Sequence, residues 1–183
     1  MKWSSAYPLA NAPLPPRPGI YKILLADARG LSETALAGVE TGDVLYVGKA
    51  EESVLGRDIG QHLHSDRTGS STLRRSLGAI LHDRLILKAR LRGDRHRSSY
   101  CFHADGEDRL TKWMRANLSV AWLECASGAE AKAKEPGLIK ELRPALNITH
   151  NTYGSYVRLV RQSRTLCRNE AARDCSAQRL DSR

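Results

Sequence analysis

A small set of polar residues falls where strands, a tight turn and helix faces are expected. Tyr21 and Tyr46 come together if the first two strands pair, and each phenol carries a hydrogen-bonding hydroxyl on a stiff arm. Gly48 follows Tyr46 at a strand end, where a chain can pass close to a ligand. Arg57 and His62 come next, on an expected helix. An arginine can fork two donors onto a phosphate, and a histidine can move a proton near neutral pH. Glu135 lies on the same helical stripe as Ala131, Leu138, Ile139 and Leu142, so its carboxylate projects from an apolar face. A charge buried there needs a partner or a metal ion. Asn147 lies beyond that helix and can hydrogen-bond locally. Taken singly, each has a plainer reading. Strand tyrosines usually pack, a helical Arg or His is usually surface, and Glu135 can pair with Lys132 or Lys49.

The elements that must position these residues follow from pattern. Residues 1–17 are rich in Pro and small residues and read as an arm. Strands are expected over Gly19–Ala26 and Asp43–Val47, the second stopping at Gly48, as an antiparallel hairpin with a long loop. A helix over 53–64 has Ser53 as its cap candidate. A second, over 70–82, puts Leu73, Leu77, Ile80 and Leu81 on one face. Residues 84–103 carry only strand-like patches. A helix over 105–117 turns Leu110, Trp113 and Met114 to one side, and Leu118–Glu124 alternates like a third strand. The last core helix spans 127–142, and Pro144 prevents its extension. The expected fold class is therefore α+β, a small three-stranded antiparallel sheet flanked by helices. A domain over 18–150 is followed by a basic tail over 151–183 of weak periodicity, partly helical or disordered.

Composition narrows the partner. The 183 residues carry a net charge of +9. Arg84–Arg97 holds six basic residues and one acid, and residues 155–183 hold seven arginines and three acids, so the excess is confined to two segments. That concentration favours contact with phosphates, with Arg90, Arg92, Arg95 and Arg97 as nucleic-acid-binding candidates, over simple solvation of a strand pair and a tail. No run approaches a membrane span, and the N-terminus lacks the apolar core of a signal peptide. Cys101, Cys125, Cys167 and Cys175 form no Cys-x-x-Cys pair and read as free thiols of a cytoplasmic protein.

The order of the polar residues resembles the GIY-YIG nuclease family. Gly19-Ile20-Tyr21 supplies the first signature and Tyr46-Val47-Gly48 the second, with Val in place of Ile. Leu45–Ala50 (LYVGKA) looks like the form in the nuclease half of bacterial excision-repair incision subunits. Arg57 and the His62-Leu63 pair match the family's next helix, and EPGLIKELRPALN, from Glu135 to Asn147, is similar to its closing pattern. RTGSSTLRRSLGAIL resembles the second helix of a bacterial branch.

The resemblance implies hydrolysis of DNA phosphodiesters with one divalent metal ion, Mg²⁺ or Mn²⁺, bound by Glu135. Tyr46 or His62 then takes a proton from water, directly or in relay with Tyr21. Arg57 neutralises charge on phosphorus, and Lys49 and Asn147 position groups. The same fold without cleavage, as a nucleic-acid-binding domain, is the alternative. Neither a membrane nor an obligate protein partner is implied. Three features depart from the family pattern. Arg57 and His62 are five residues apart rather than four, whereas Arg57 and His64 nearly align on a helix. Pro136 directly after Glu135 is expected to kink the helix or restart it there. No recognisable DNA-binding module follows.

Overall fold

The computed structural model describes residues 2–55, 68–92, 99–152 and 154–181. Its centre is an antiparallel sheet of four strands: β1 (Tyr7–Pro8), β2 (Gly19–Leu25), β3 (Val44–Ala50) and β6 (Leu118–Glu124), in the order β1-β6-β2-β3. A separate hairpin pairs β4 (Ala89–Leu91) with β5 (Tyr100–Phe102). The described helices are α1 (Thr72–Ile80), α2 (Ala104–Asn117), α3 (Gly128–Leu142) and α4 (Val157–Asp181). The fold is α+β, as expected.

The sheet has four strands rather than three. The extra one, β1, comes from the Pro-rich arm and pairs Tyr7 with Val120 and Pro8 with Ser119. It covers the β6 edge, and Tyr7 stacks on Trp122 at 5.4 Å between ring centroids. A strand of two residues carries no alternation to read, and proline is tolerated at a sheet edge because it needs no ladder donor.

The strand expected to end at Gly48 continues to Ala50, because Gly48 keeps its place in the ladder opposite Tyr21. The helix expected to break at Pro136 runs through it. Pro136 deprives the Lys132 carbonyl of its usual donor, and Lys132 is exposed, so water can take its place. The segment expected as a tail is, over Val157–Asp181, a helix packed on α1 and β4. Its buried seam is Val157, Val160, Cys167 and Ala171. The helix expected over 53–64 lies, from residue 56 on, outside the described residues.

The sheet has two covered faces. On one, α3 packs against β3 and β2, closing a small core of Ile20, Val47, Cys125, Ala131 and Ile139. The other bears Tyr21, Ile23, Leu25 and Val120 and opens into the main core with the apolar sides of α1 and α2. Ser71 caps α1 by accepting from the Arg74 amide.

A buried ion pair fastens this main core. Arg74 and Glu107 are 0% and 1% exposed, with Nη2 2.6 Å from Oε2. The Glu107 carboxylate also accepts from Thr68 Oγ1 at 2.7 Å and from the Phe102 amide at 3.0 Å. Arg74 Nη1 donates to Thr111 Oγ1 at 3.0 Å. The network thus ties α1, α2, β5 and the turn before α1 with most of its donors and acceptors used, which a charge taken out of water requires. Outside it, His82 bridges the end of α1 to α4, with Nε2 2.7 Å from Glu170 Oε2 and Nδ1 2.8 Å from Asp83 Oδ1. Burial pulls the His82 pKa down, but the two carboxylates outweigh it and hold it above the ordinary histidine value.

Two outcomes follow. Arg74→Met strands the Glu107 carboxylate and lowers stability by about 3–5 kcal/mol in urea denaturation; a loss below about 1 kcal/mol contradicts a structural role. The His82 bridge stabilises fully below about pH 6.5, the unfolded histidine pKa, and its contribution fades as pH rises through the higher folded value. Wild type is therefore expected to lose part of its stability advantage over His82→Gln as the pH of thermal melts rises from about 6 to 9. A constant difference contradicts the bridge.

Candidate active site

The two signature triplets meet on adjacent strands. In the β2–β3 ladder Tyr21 faces Gly48 and Ile23 faces Tyr46, so both phenols stand on the main-core face. Their ring centroids are 6.4 Å apart and the planes are inclined by 35°. Tyr21 is buried and Tyr46 half-buried. Gly48 lies beneath the pair. A Cβ there would sit 2.4 Å from the Tyr21 hydroxyl oxygen and 2.9 Å from Tyr46 Cε1. The glycine is needed for close approach of a ring, not for an unusual backbone angle.

The third element is Asn147. It is buried, and its side chain completes a reciprocal pair with the Val47 backbone: the Val47 amide donates to Oδ1 at 2.8 Å and Nδ2 donates to the Val47 carbonyl at 2.9 Å. β3 is an edge strand, and the segment after α3 satisfies its outer side. Leu146 N donates to Leu45 O at 2.8 Å, while Asn151 Nδ2 holds the Asn147 carbonyl at 3.0 Å. An amide serves here because both a donor and an acceptor are required, which a carboxylate does not supply. Asn147 therefore fixes the strand between Tyr46 and Gly48 and is a positioning residue.

Lys49 points to the α3 face of the sheet and is paired with Glu51, Nζ to Oε1 at 2.6 Å. The ammonium holds the Glu51 carboxyl below the usual range. Glu135 stands on α3, the helix packed against β3. It is half-buried rather than buried, while Ala131 and Ile139 on its stripe are buried in the small core. Arg90 and Arg92 are exposed at β4, with Arg90 Nε donating to Phe102 O at 3.2 Å and Arg92 Nη1 to Gly69 O at 3.1 Å. Arg57, His62, His64, Arg95 and Arg97 lie outside the described residues.

A cleft of about 410 Å³ opens elsewhere, between the 33–35 turn, the end of α1 and α4, and no signature residue lines it. No described helix is long and apolar enough to cross a membrane.

Residues 19–166 match the family model of the GIY-YIG catalytic domain. The chain belongs to the GIY-YIG family. No curated protein and no solved structure matches it. The GIY-YIG match spans the sheet strands β2, β3 and β6, all of α3 and the first part of α4. It assigns the chain to a nuclease family.

Sequence reading missed two features. Asn147 reaches Val47 across a separation of 100 residues, which no local pattern reveals. The Arg74–Glu107 network was also hidden, although two adjacent arginines on an amphipathic helix are a signal that one of them faces inward.

Two substitutions test the arrangement through stability alone. Asn147→Ala leaves the Val47 amide and carbonyl without their side-chain partners, at about 1–3 kcal/mol for each group left dry. Gly48→Ala forces the tyrosine rings apart and costs about 1–3 kcal/mol as overpacking. Urea denaturation measures both, and wild-type midpoints would contradict the close packing.

Proposed function

We propose that this GIY-YIG protein is an endonuclease that hydrolyses DNA phosphodiester bonds with one divalent metal ion, Mg²⁺ or Mn²⁺, held by Glu135. The observation that carries the proposal is the pair of phenols packed over Gly48, on a strand against whose other face packs the helix that bears Glu135.

The residues suit such an ion. Glu135 is a half-buried hard oxygen donor. Among the described residues no three His, Cys, Asp or Glu side chains converge. Mg²⁺ readily accepts such a carboxylate with its other positions filled by water and phosphate oxygens. When bound, the ion supplies polarisation of a phosphate oxygen and stabilisation of the leaving oxyanion.

The chain's own residues do the rest. Tyr46, half-buried beside Tyr21, can accept a proton from water at its phenolic oxygen and pass it on, with His62 the other candidate base. Arg57 neutralises charge that builds on phosphorus. Lys49 must leave Glu51 to meet a phosphate. Asn147 keeps the Tyr46–Gly48 segment from shifting. The exposed Arg90 and Arg92, with Arg95 and Arg97, contact the DNA backbone without reading bases.

Incubation with plasmid, branched and single-stranded DNA in Mg²⁺, Mn²⁺ or EDTA tests this reading. Cleavage in metal and none in EDTA is expected. Binding without cleavage in any metal supports the non-cleaving alternative instead. Glu135→Gln is expected to reduce cleavage at least about 100-fold with an unchanged circular dichroism spectrum. His62→Ala is expected to be inactive and His64→Ala active. Near-wild-type cleavage by Glu135→Gln removes the metal ligand from the account, and a dead His64→Ala moves the histidine role to that residue.

A further inference from the structure

Two consecutive arginines on α1 have opposite environments. Arg74 is neutralised by Glu107. Arg75 is half-buried and, among the described residues, makes long contacts to hydroxyls, Nη1 to Ser99 Oγ at 3.3 Å and Nη2 to Thr72 Oγ1 at 3.4 Å. Its Nε is buried without an acceptor. No carboxylate pairs with it among the described residues.

Two more guanidinium groups lie close by. Ser99 Oγ, the contact of Arg75, donates to Gly69 O at 3.1 Å, and Arg92 Nη1 donates to the same oxygen at 3.1 Å. Arg92 lies so tightly over Gly69 that a Cβ there would be 2.4 Å from its Cδ. From the other side comes α4. Arg164 falls four residues after Val160 and three before Cys167, in the middle of that helix's buried seam, and is itself half-buried. The Tyr100 hydroxyl donates to the Arg75 carbonyl at 2.7 Å, and the Cys167 thiol lies within hydrogen-bonding reach of that tyrosine. Arg75 thus meets this buried ring through its backbone carbonyl, and Arg164 stands on α4, the helix packed on α1 and β4.

The electrostatics agree with this geometry. Burial first, and then the Arg164 guanidinium, pull Arg75 below the usual arginine range. Arg92 acts in the same direction, while Tyr100 and Tyr46 oppose it. Guanidinium groups stay charged at any physiological pH. Guanidinium groups gathered around one spot, one of them with a buried donor that no described acceptor meets, favour an anion there. A phosphodiester supplies a full charge and several acceptor oxygens, which suit the planar forks of arginine.

We propose that Arg75, Arg92 and Arg164 form a binding site for a backbone phosphate of DNA. The inference rests on DNA being the substrate. The site grips a backbone phosphate and so holds the bound DNA, without taking part in bond breaking.

Binding measured in EDTA separates this site from cleavage. Fluorescence anisotropy of a labelled DNA duplex is followed from 50 to 200 mM salt for the full chain and for Arg75→Gln, Arg164→Gln and Arg115→Gln. Arg115 is exposed on α2 and controls for net charge. Arg75→Gln and Arg164→Gln are each expected to raise Kd about tenfold at low salt, the effect of one charge-assisted contact. Each is expected to lower the slope of log K against log salt by about one. Arg115→Gln is expected to match wild type, and Arg75→Gln is expected to melt no lower than wild type. The proposal is overturned if both variants bind with wild-type affinity and slope, or if Arg115→Gln weakens binding as much. A melting loss in Arg75→Gln that accounts for its weaker binding also counts against it. Should Arg75→Gln fail to fold, Arg164→Gln decides by the same criteria. Absence of cleavage by wild type, with these binding differences intact, counts against the nuclease reading alone.

Discussion

At Gly48 the β2–β3 ladder leaves no space for a side chain, and the candidate site is organised around that vacancy. Cross-strand pairing places Tyr21 opposite the glycine, and its ring lies down over the backbone that any other residue would shield. Tyr46, two residues before, stands on the same face and meets the first ring at 6.4 Å. The two phenols are therefore fixed by register rather than by contact with a ligand. A slip of one residue in that ladder would send every side chain of β3 to the opposite face.

Register on an edge strand needs an outside restraint, and Asn147 supplies it. Its reciprocal bonds to Val47 occupy an amide and a carbonyl that would otherwise face solvent or another chain. The same segment follows directly from α3, so the helix bearing Glu135 and the strand bearing Tyr46 are tied at their ends as well as packed along their lengths. On the far side of the core, the Arg74–Glu107 network joins the two helices that support the tyrosine face. The polar groups buried in this fold thus hold elements in register, while Tyr46 and Glu135 stay half-buried.

The strands that carry the site were legible because β2, β3 and β6 are each seven residues of apolar or alternating sequence. Meeting of Tyr21 with Tyr46 followed from pairing the first two. Helices α1 and α2 were legible from Leu73, Leu77, Leu110 and Met114, all of them buried. What could not be read depended on distant partners. Strand β1 is too short for periodicity and gains its place only by covering β6. The seam of α4 was obscured because Arg164 interrupts it, and a charged residue in an apolar stripe reads as a tail until its surroundings are known. The passage of α3 through Pro136 likewise depends on solvent at the neighbouring carbonyl rather than on the local sequence.

On the proposed reading, the phenols over Gly48 take part in phosphodiester hydrolysis rather than only filling the core. Substituting phenylalanine removes one oxygen and keeps the ring, so packing over the glycine survives while the proton carrier is lost. The decisive measurement is the single-turnover cleavage rate of Tyr46→Phe with enzyme saturating over DNA in Mg²⁺. The account predicts a rate at least about 100-fold below wild type with unchanged DNA affinity. A Tyr46→Phe enzyme that cleaves at the wild-type rate would contradict it.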